Sequence, residues 1–280
     1  MRKHRCATVG WLILVLLATS CVPVSHEDPN PGRIAVLGAS GKEVARIEKM
    51  LVVPERREIE GITFLTGTLG GKPVVVASTG VGKVNAAMTA TLLIEHFRPA
   101  CVLLTGIAGG VDPNLAPGDM VIAERTAHHD MGLLWPEAME HGGVSNPLTH
   151  EDNPTFFVAD PRLLTAARQA ASQTELDAIG LRTGQRPPRI TVGTIVTGDA
   201  FVASQDKCAE LAETLDADAV EMEGAAVAQL CYQRGVGCLV IRCIADKADE
   251  SAVLDKQKFY DLAAENSARL IVEVIQCLAD

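Results

Sequence analysis

Two carboxylates stand at alternate positions in an apolar setting, Glu221-Met222-Glu223, between Ala219-Val220 and the Ala-rich run that begins at Gly224. An ionised carboxyl in low dielectric shifts its pKa or finds a polar partner. Something polar is therefore expected to meet Glu221 and Glu223, and a sugar with adjacent hydroxyls is one such thing. Another acid, Asp246, follows the run Val240-Ile241-Arg242-Cys243-Ile244. Both acidic places fall where a strand is expected to end, and in open α/β sheets ligands bind outside the carboxyl ends of the strands. The Gly-rich segments Gly38-Ala-Ser-Gly41, Gly80-Val-Gly82 and Thr105-Gly-Ile-Ala-Gly-Gly110 read as turns with the same placement. Together they point to one composite pocket.

What these turns lack is as useful. None has the Gly-x-x-x-x-Gly-Lys-Ser/Thr or the Gly-x-Gly-x-x-Gly spacing, so neither a nucleoside triphosphate nor a dinucleotide is expected. The glycines serve sharp strand-to-helix turns or close backbone approach to a ligand. There is no Cys-x-x-Cys pair. His128-His129-Asp130 has ligating residue types, but adjacent histidines project apart in a strand. No metal and no cofactor are expected.

The elements that must position these residues alternate in type. Arg33–Leu37 reads as a short buried strand. Lys42–Met50 has helical spacing, with Val44, Ile47 and Leu51 on one face. Ile62–Thr68 and Pro73–Ser78 are strands joined at Gly70-Gly71, a hairpin signal. Lys83–Phe97 is a helix that stops before Pro99. Cys101–Thr105 is apolar throughout, as expected in a covered sheet, and Asp119–Glu124 is another strand. Thr126–Pro154 is long, polar and rich in His, Gly and Pro, which suits a binding loop or lid. Pro161–Gln173, Gly224–Arg234 and a segment from about Gln257 to Leu278 are helical. Ile190–Thr197, Ala219–Glu221 and Cys238–Ile244 are strands. Alternating strands and helices with one hairpin predict a mixed sheet with helices on both faces.

At 280 residues and 48% hydrophobic, the chain can build one large α/β domain. Its formal charge is −10, and Arg2, Lys3 and Arg5 lie in what reads as a removable leader. So acidic a chain is a poor nucleic-acid binder, because phosphate affinity comes from clustered Lys and Arg. Residues 1–21 read as a lipoprotein-type signal. Met1–Arg5 is basic, Trp11–Ala18 is apolar but short for a bilayer span, and Leu17-Ala-Thr-Ser-Cys21 resembles a lipobox. Cys21 is the expected lipidation site, which would place the protein in the cell envelope of a bacterium, held to the membrane by a lipid anchor. Residues 22–32 read as a flexible tether and 33–280 as the globular domain. The remaining cysteines past the leader lie in apolar runs or expected helices, where free Cys behaves as a small hydrophobe.

Taken in order, Gly38-Ala-Ser-Gly-Lys-Glu43, Ser78-Thr-Gly-Val-Gly-Lys83, Thr105–Gly110, Gly198-Asp-Ala-Phe201, Val220-Glu-Met-Glu-Gly224 and Arg242-Cys-Ile-Ala-Asp246 resemble the nucleoside phosphorylase and hydrolase superfamily. The closest branch is the 5′-methylthioadenosine/S-adenosylhomocysteine nucleosidases. The resemblance runs from Arg33 to the C-terminus. It implies a three-layer α/β sandwich with a mixed central sheet, and commonly a homodimer. It implies that Glu43 activates the attacking water and that Asp246 serves N7 of the purine. It places Glu223 on the ribose hydroxyls, Met222 beneath the sugar and Glu221 beside it. Phe201 stacks on the base, the backbone around Phe201 and Val202 reads its edge, and Ala108 and Gly109 line the site.

Those residue types fit N-glycosidic cleavage, in which positive charge builds on the sugar and negative charge on the leaving purine. Phosphorylases of the superfamily hold phosphate with arginines and a serine. Here the first Gly-rich turn has no Arg, and Leu104 and Ile107 stand where Arg and Ser are wanted. Water is the expected nucleophile, and adenine the expected product. A phosphorylase with an atypical phosphate site and a lipid-anchored nucleoside-binding protein without turnover stay open as alternatives. Four departures bear on the substrate more than on the reaction. Ala245 replaces a usual Ser, Ile107 a small hydroxyl residue and Ser40 a common Met, and Ser251–Lys258 lacks the usual aromatic near the 5′-substituent. Substrates of the 5′-deoxyadenosine or futalosine type stay open for that reason.

Overall fold

Ile34-Ala-Val-Leu-Gly38 is buried at every position, as a strand covered on both faces must be, and it forms β1. The computed structural model describes residues 32–176 and 187–279. The leader, the lipidation site Cys21 and all of the tether except Gly32 lie outside the described residues.

After β1 come α1 (Gly41–Met50), β2 (Val52–Ile59), β3 (Ile62–Leu69), β4 (Lys72–Ser78), α2 (Lys83–Phe97), β5 (Cys101–Thr105) and β6 (Ile107–Gly110). Next are β7 (Met120–His128), β8 (Gly132–Leu134), β9 (Met139–His141), β10 (Phe156–Val158), α3 (Pro161–Ala171) and β11 (Ile190–Thr197). The chain ends with α4 (Gln205–Leu215), β12 (Ala219–Glu221), α5 (Gly224–Arg234), β13 (Gly237–Asp246) and α6 (Ala252–Cys277). The main sheet runs β10-β7-β11-β12-β6-β13-β5-β1-β4-β3-β2. It is mixed. β1 is parallel to β4 and β5, whereas β3 is antiparallel to both β2 and β4.

Strand alternation sorts the core into two faces. Ile34, Val36, Ile241 and Cys243 pack with Val44 and Ile47 of α1, Leu163 of α3 and Ile271 of α6. Ala35, Leu37, Val240 and Ile244 point the other way, toward Ala90 and Leu93 of α2 and Val227 of α5. The result is a three-layer sandwich, as the resemblance implied. Arg242 lies between Val240 and Ile244 on the second face, a cation where the pattern calls for an apolar residue.

Apart from β10, which the sequence reading lacked, the structure departs from that reading in four places. Val52–Ile59 is a strand although seven of its eight residues are exposed. Its pairing with β3 supplies the order that burial does not. Ile107–Gly110 is a strand rather than a turn, with only Gly106 making the bend, and it pairs with both β12 and β13. Thr126–Pro154 is not one long loop. β7 carries on to His128, and a small β8–β9 hairpin follows. The last helix begins at Ala252, earlier than its apolar spacing suggested. The six described cysteines are unbridged. Among the described residues no helix is long and apolar enough to cross a membrane.

Candidate active site

β12 ends at Glu221, and α5 starts three residues later. The Glu221 carboxylate accepts from the backbone N–H of Glu223 at 3.0 Å and of Gly224 at 2.8 Å. The Thr197 hydroxyl at the end of β11 donates to it as well. Arg242 closes the cage, with Nη2 at 2.5 Å and Nε at 3.2 Å from Oε2 of Glu221. Both side chains are at most 2% exposed. Burial by itself would raise the Glu221 pKa, but Arg242 and the donated hydrogen bonds hold it below its usual value. The polar partner of Glu221 is thus supplied by the protein itself.

Glu223 has a different environment. Its Oε1 accepts from the N–H of Gly82 at 2.9 Å, where the second glycine turn opens α2. Arg242 Nη2 stands 3.5 Å from its Oε2, a looser contact than the one to Glu221. Burial, and then the neighbouring Glu221 charge, push the Glu223 carboxyl up to about 8. One guanidinium cannot neutralise two buried carboxylates equally, and the shorter contact decides which stays ionised.

Glu43 lies in the first turn of α1 and is only 3% exposed. Its Oε2 accepts from the N–H of Ser40 at 2.9 Å, which ties the helix start to the acid. Its Oε1 accepts from the Tyr260 hydroxyl at 3.4 Å, and that hydroxyl lies 2.5 Å from Ser40 Oγ. Burial raises the Glu43 pKa, opposed by Arg242 and by the Ser40 N–H. Tyr260 is pushed up to about 12 by burial and by Glu43, so it keeps its proton and donates.

Asp246 ends β13. Its Oδ1 accepts from the N–H of Ala248 at 2.8 Å, and burial lifts its carboxyl to about 6. β6 passes close beneath it. A Cβ on Gly109 would stand 2.8 Å from Asp246 Oδ1 and 2.9 Å from Ala248 Cβ, so that position has room for glycine alone.

These groups line one cleft. It brings together every described residue expected at the site: Glu43, Ala108, Gly109, Phe201, Val202, Glu221, Met222, Glu223 and Asp246. Sequence reasoning missed Arg242, Thr197, Tyr260 and Lys256. A lone arginine inside an apolar strand run was a readable signal for the first. Tyr260 and Lys256 gave none, because only the packing of α6 brings them to the cleft. The cation that the glycine turns lack is present as Arg242, but its contacts are spent on Glu221. His128-His129-Asp130 belongs elsewhere. His128 Nε2 faces Gln229 Oε1 at 3.0 Å, and Asp130 pairs with Lys83 at 2.6 Å. Among the described residues no three His, Cys, Asp or Glu side chains gather as a metal-holding group.

The arrangement lines one cleft with an acid that burial raises to about 6, the buried Glu43 carboxylate, and the Glu223 carboxyl, whose oxygens can meet a hydroxylated ligand. That is the equipment of acid–base cleavage. Residues 33–276 match the sequence profile of the Phosphorylase superfamily. A Mycobacterium bovis protein named 5′-methylthioadenosine/S-adenosylhomocysteine nucleosidase is 35% identical over 250 residues, spanning 88% of this chain and 97% of that protein. The Neisseria meningitidis nucleosidase of the same name, solved with methylthio-immucillin-A, matches with a TM-score of 0.74 and 34% identity, covering 87% of this chain and 98% of that one. The Helicobacter pylori futalosine hydrolase matches with a TM-score of 0.73 and 28% identity, over 87% and 97% of the two chains.

Proposed function

The chain belongs to the phosphorylase superfamily, and from that premise we propose that it is a purine nucleosidase. It hydrolyses the N-ribosidic bond of adenine nucleosides such as 5′-methylthioadenosine and S-adenosylhomocysteine, and releases adenine. The observation that carries this reading is the pair formed by Asp246, lifted to about 6, and the buried Glu43, both lining one cleft. Two of the relatives named above act on these two compounds by their own names.

In this reading Asp246 donates its proton toward N7 of the purine, so that the base leaves neutral. Charge builds on the ribose as the bond breaks. Glu43 takes a proton from the attacking water and faces that positive charge. Glu223 accepts from the ribose hydroxyls, held by the Gly82 N–H, and Met222 packs beneath the sugar. Phe201 stacks on the base, the backbone at Phe201 and Val202 meets its edge, and Ala108 and Gly109 form the floor. Glu221 acts through Arg242 as a positioning residue, since its acceptors are already occupied.

Water rather than phosphate is the nucleophile. A phosphate dianion beside Glu43 would be repelled, and Arg242 is committed to Glu221. Adenine release from 5′-methylthioadenosine, with and without phosphate, tests the reading. Free 5-methylthioribose in both cases supports it. A ribose 1-phosphate product favours the phosphorylase alternative, and tight binding without adenine release favours a binding protein.

The lipobox-like Ser20-Cys21 and the basic, apolar leader before it support an envelope lipoprotein anchored at Cys21. Loss of palmitate labelling in Cys21→Ala tests this, and unchanged labelling refutes it. A homodimer is supported by apolar side chains left exposed on one chain. Val84 and Met88 lie one turn apart on α2, and Leu133, Leu134 and Trp135 lie on the β8–β9 hairpin. Sedimentation equilibrium at micromolar protein tests it, and a monomer mass refutes it.

A further inference from the structure

The cleft has a polar end that the proposed chemistry does not use. With the base against Asp246 and Phe201 and the sugar over Met222 and Glu223, the remaining lining is Ser40, Tyr260 and Lys256, beside Val81 and Ile107. Lys256 and Tyr260 are one helical turn apart on α6, so they share a face. Tyr260 and Ser40 form a hydroxyl pair at 2.5 Å. Lys256 is the one cation among the described lining residues. Its Nζ lies 4.8 Å from the centre of the Phe201 ring and has no hydrogen-bond or ion-pair partner among the described residues. The ammonium is close enough to Asp246 to lower its pKa but forms no ion pair with it, so it keeps donors for an anion brought by the ligand.

Resting on the nucleosidase reading, we propose that Lys256, with the Ser40–Tyr260 hydroxyl pair beside it, forms a 5′-subsite that selects nucleosides whose 5′-substituent ends in a carboxylate. The carboxylate of an amino-acid thioether is the chemistry that fits. An anion deeper in the cleft would meet Glu43, to which Tyr260 already donates, so only a substituent long enough to reach Lys256 gains the contact. A short apolar methylthio group reaches no charged partner and leaves the hydroxyl pair facing a methyl.

The test measures kcat/KM for four substrates: 5′-methylthioadenosine, S-adenosylhomocysteine, the deaminated analogue of the latter, and the carboxamide of that analogue. The last two differ only in the charge at the end of the chain. Wild-type enzyme is expected to prefer the carboxylate over the carboxamide by about tenfold, the scale of one charge-assisted contact. Raising the ionic strength is expected to shrink that ratio. Lys256→Met is expected to bring the ratio to about one, and Lys256→Arg to retain most of it, whatever either does to the absolute rates. An unchanged ratio in Lys256→Met, or no preference in wild type, overturns the subsite while adenine release still stands. No adenine release from any of the four overturns the nucleosidase reading itself, and the subsite with it.

Discussion

Replacing Arg242 by Met should unbalance the whole site. The guanidinium is 1% exposed and meets Glu221 at 2.5 Å and 3.2 Å and Glu223 at 3.5 Å, and it also donates to the carbonyl of Thr105. Methionine roughly fills the volume but leaves Glu221 as a buried carboxylate without a counter-charge. Breaking a buried pair from one side costs about 3–5 kcal/mol. For a domain of this size, at about 2–4 °C per kcal/mol, that is a fall in Tm of roughly 6–20 °C. Urea unfolding followed by circular dichroism reads the free energy directly. The double variant Arg242→Met with Glu221→Gln separates charge from packing. It removes the uncompensated charge yet keeps an acceptor for the Thr197 hydroxyl and the Glu223 and Gly224 N–H groups. It should recover more than half of the loss. Because Arg242 also lowers the pKa values of Glu43 and Glu223, the acid limb of the single variant's pH–rate profile should move to higher pH. A single variant within about 1 kcal/mol of wild type would refute the reasoning, since that is the scale of an exposed pair rather than a buried one.

Asp246→Asn should lose about 10²–10⁴-fold in turnover, the range for a general acid, while unfolding at the wild-type temperature. In the wild type, kcat/KM should fall as pH rises through about 6, because the proton that Asp246 must donate is lost there; a profile flat to pH 9 (about three units further on) would remove it from the role. Gly109→Ala puts a methyl 2.8 Å from Asp246 Oδ1. It should cost about 1–3 kcal/mol of stability and displace the acid, so unchanged adenine release would mean that the strand has room to give. Glu223 holds its proton in the folded chain up to about pH 8 and releases it near pH 4 when unfolded. Its contribution to stability is therefore full at low pH and is lost as pH rises through that window. Urea titrations should show a steeper decline in wild type than in Glu223→Gln, where Asp246 and Glu43 still contribute theirs, and parallel slopes would contradict the shift.

Much of the site was legible because its chemistry breaks a local pattern. Glu221, Glu223 and Asp246 are acids at the ends of apolar strand runs, and a charge in such a place demands a reason. The glycine turns marked the same edge of the sheet. Glu43 was placed only by the family resemblance, and the Ser40 N–H that turns it back toward the helix start emerged from the structure. The strands of the parallel core were legible to within a residue or so, since a strand covered on both faces must be apolar throughout. β2 was not, because an exposed edge strand is held by its hydrogen bonds to β3 and needs no apolar pattern of its own.

The sequence by itself determined the buried strands and most of the helices, which residue types meet a ligand, and that the acids stand at strand ends. Local rules suffice for these, because strand and helix periodicity act over neighbouring residues. Only the tertiary structure decided how three acids of similar intrinsic pKa divide their work. Glu221 is ionised because Arg242, twenty-one positions away, comes within 2.5 Å of it, and Glu223 is held up to about 8 because the same cation stands further off. Likewise Tyr260 reaches Glu43 across 217 positions, because α6 packs alongside α1. Electrostatic coupling depends on distance through a low-dielectric interior, and distance between residues remote in the chain exists only once the layers have packed.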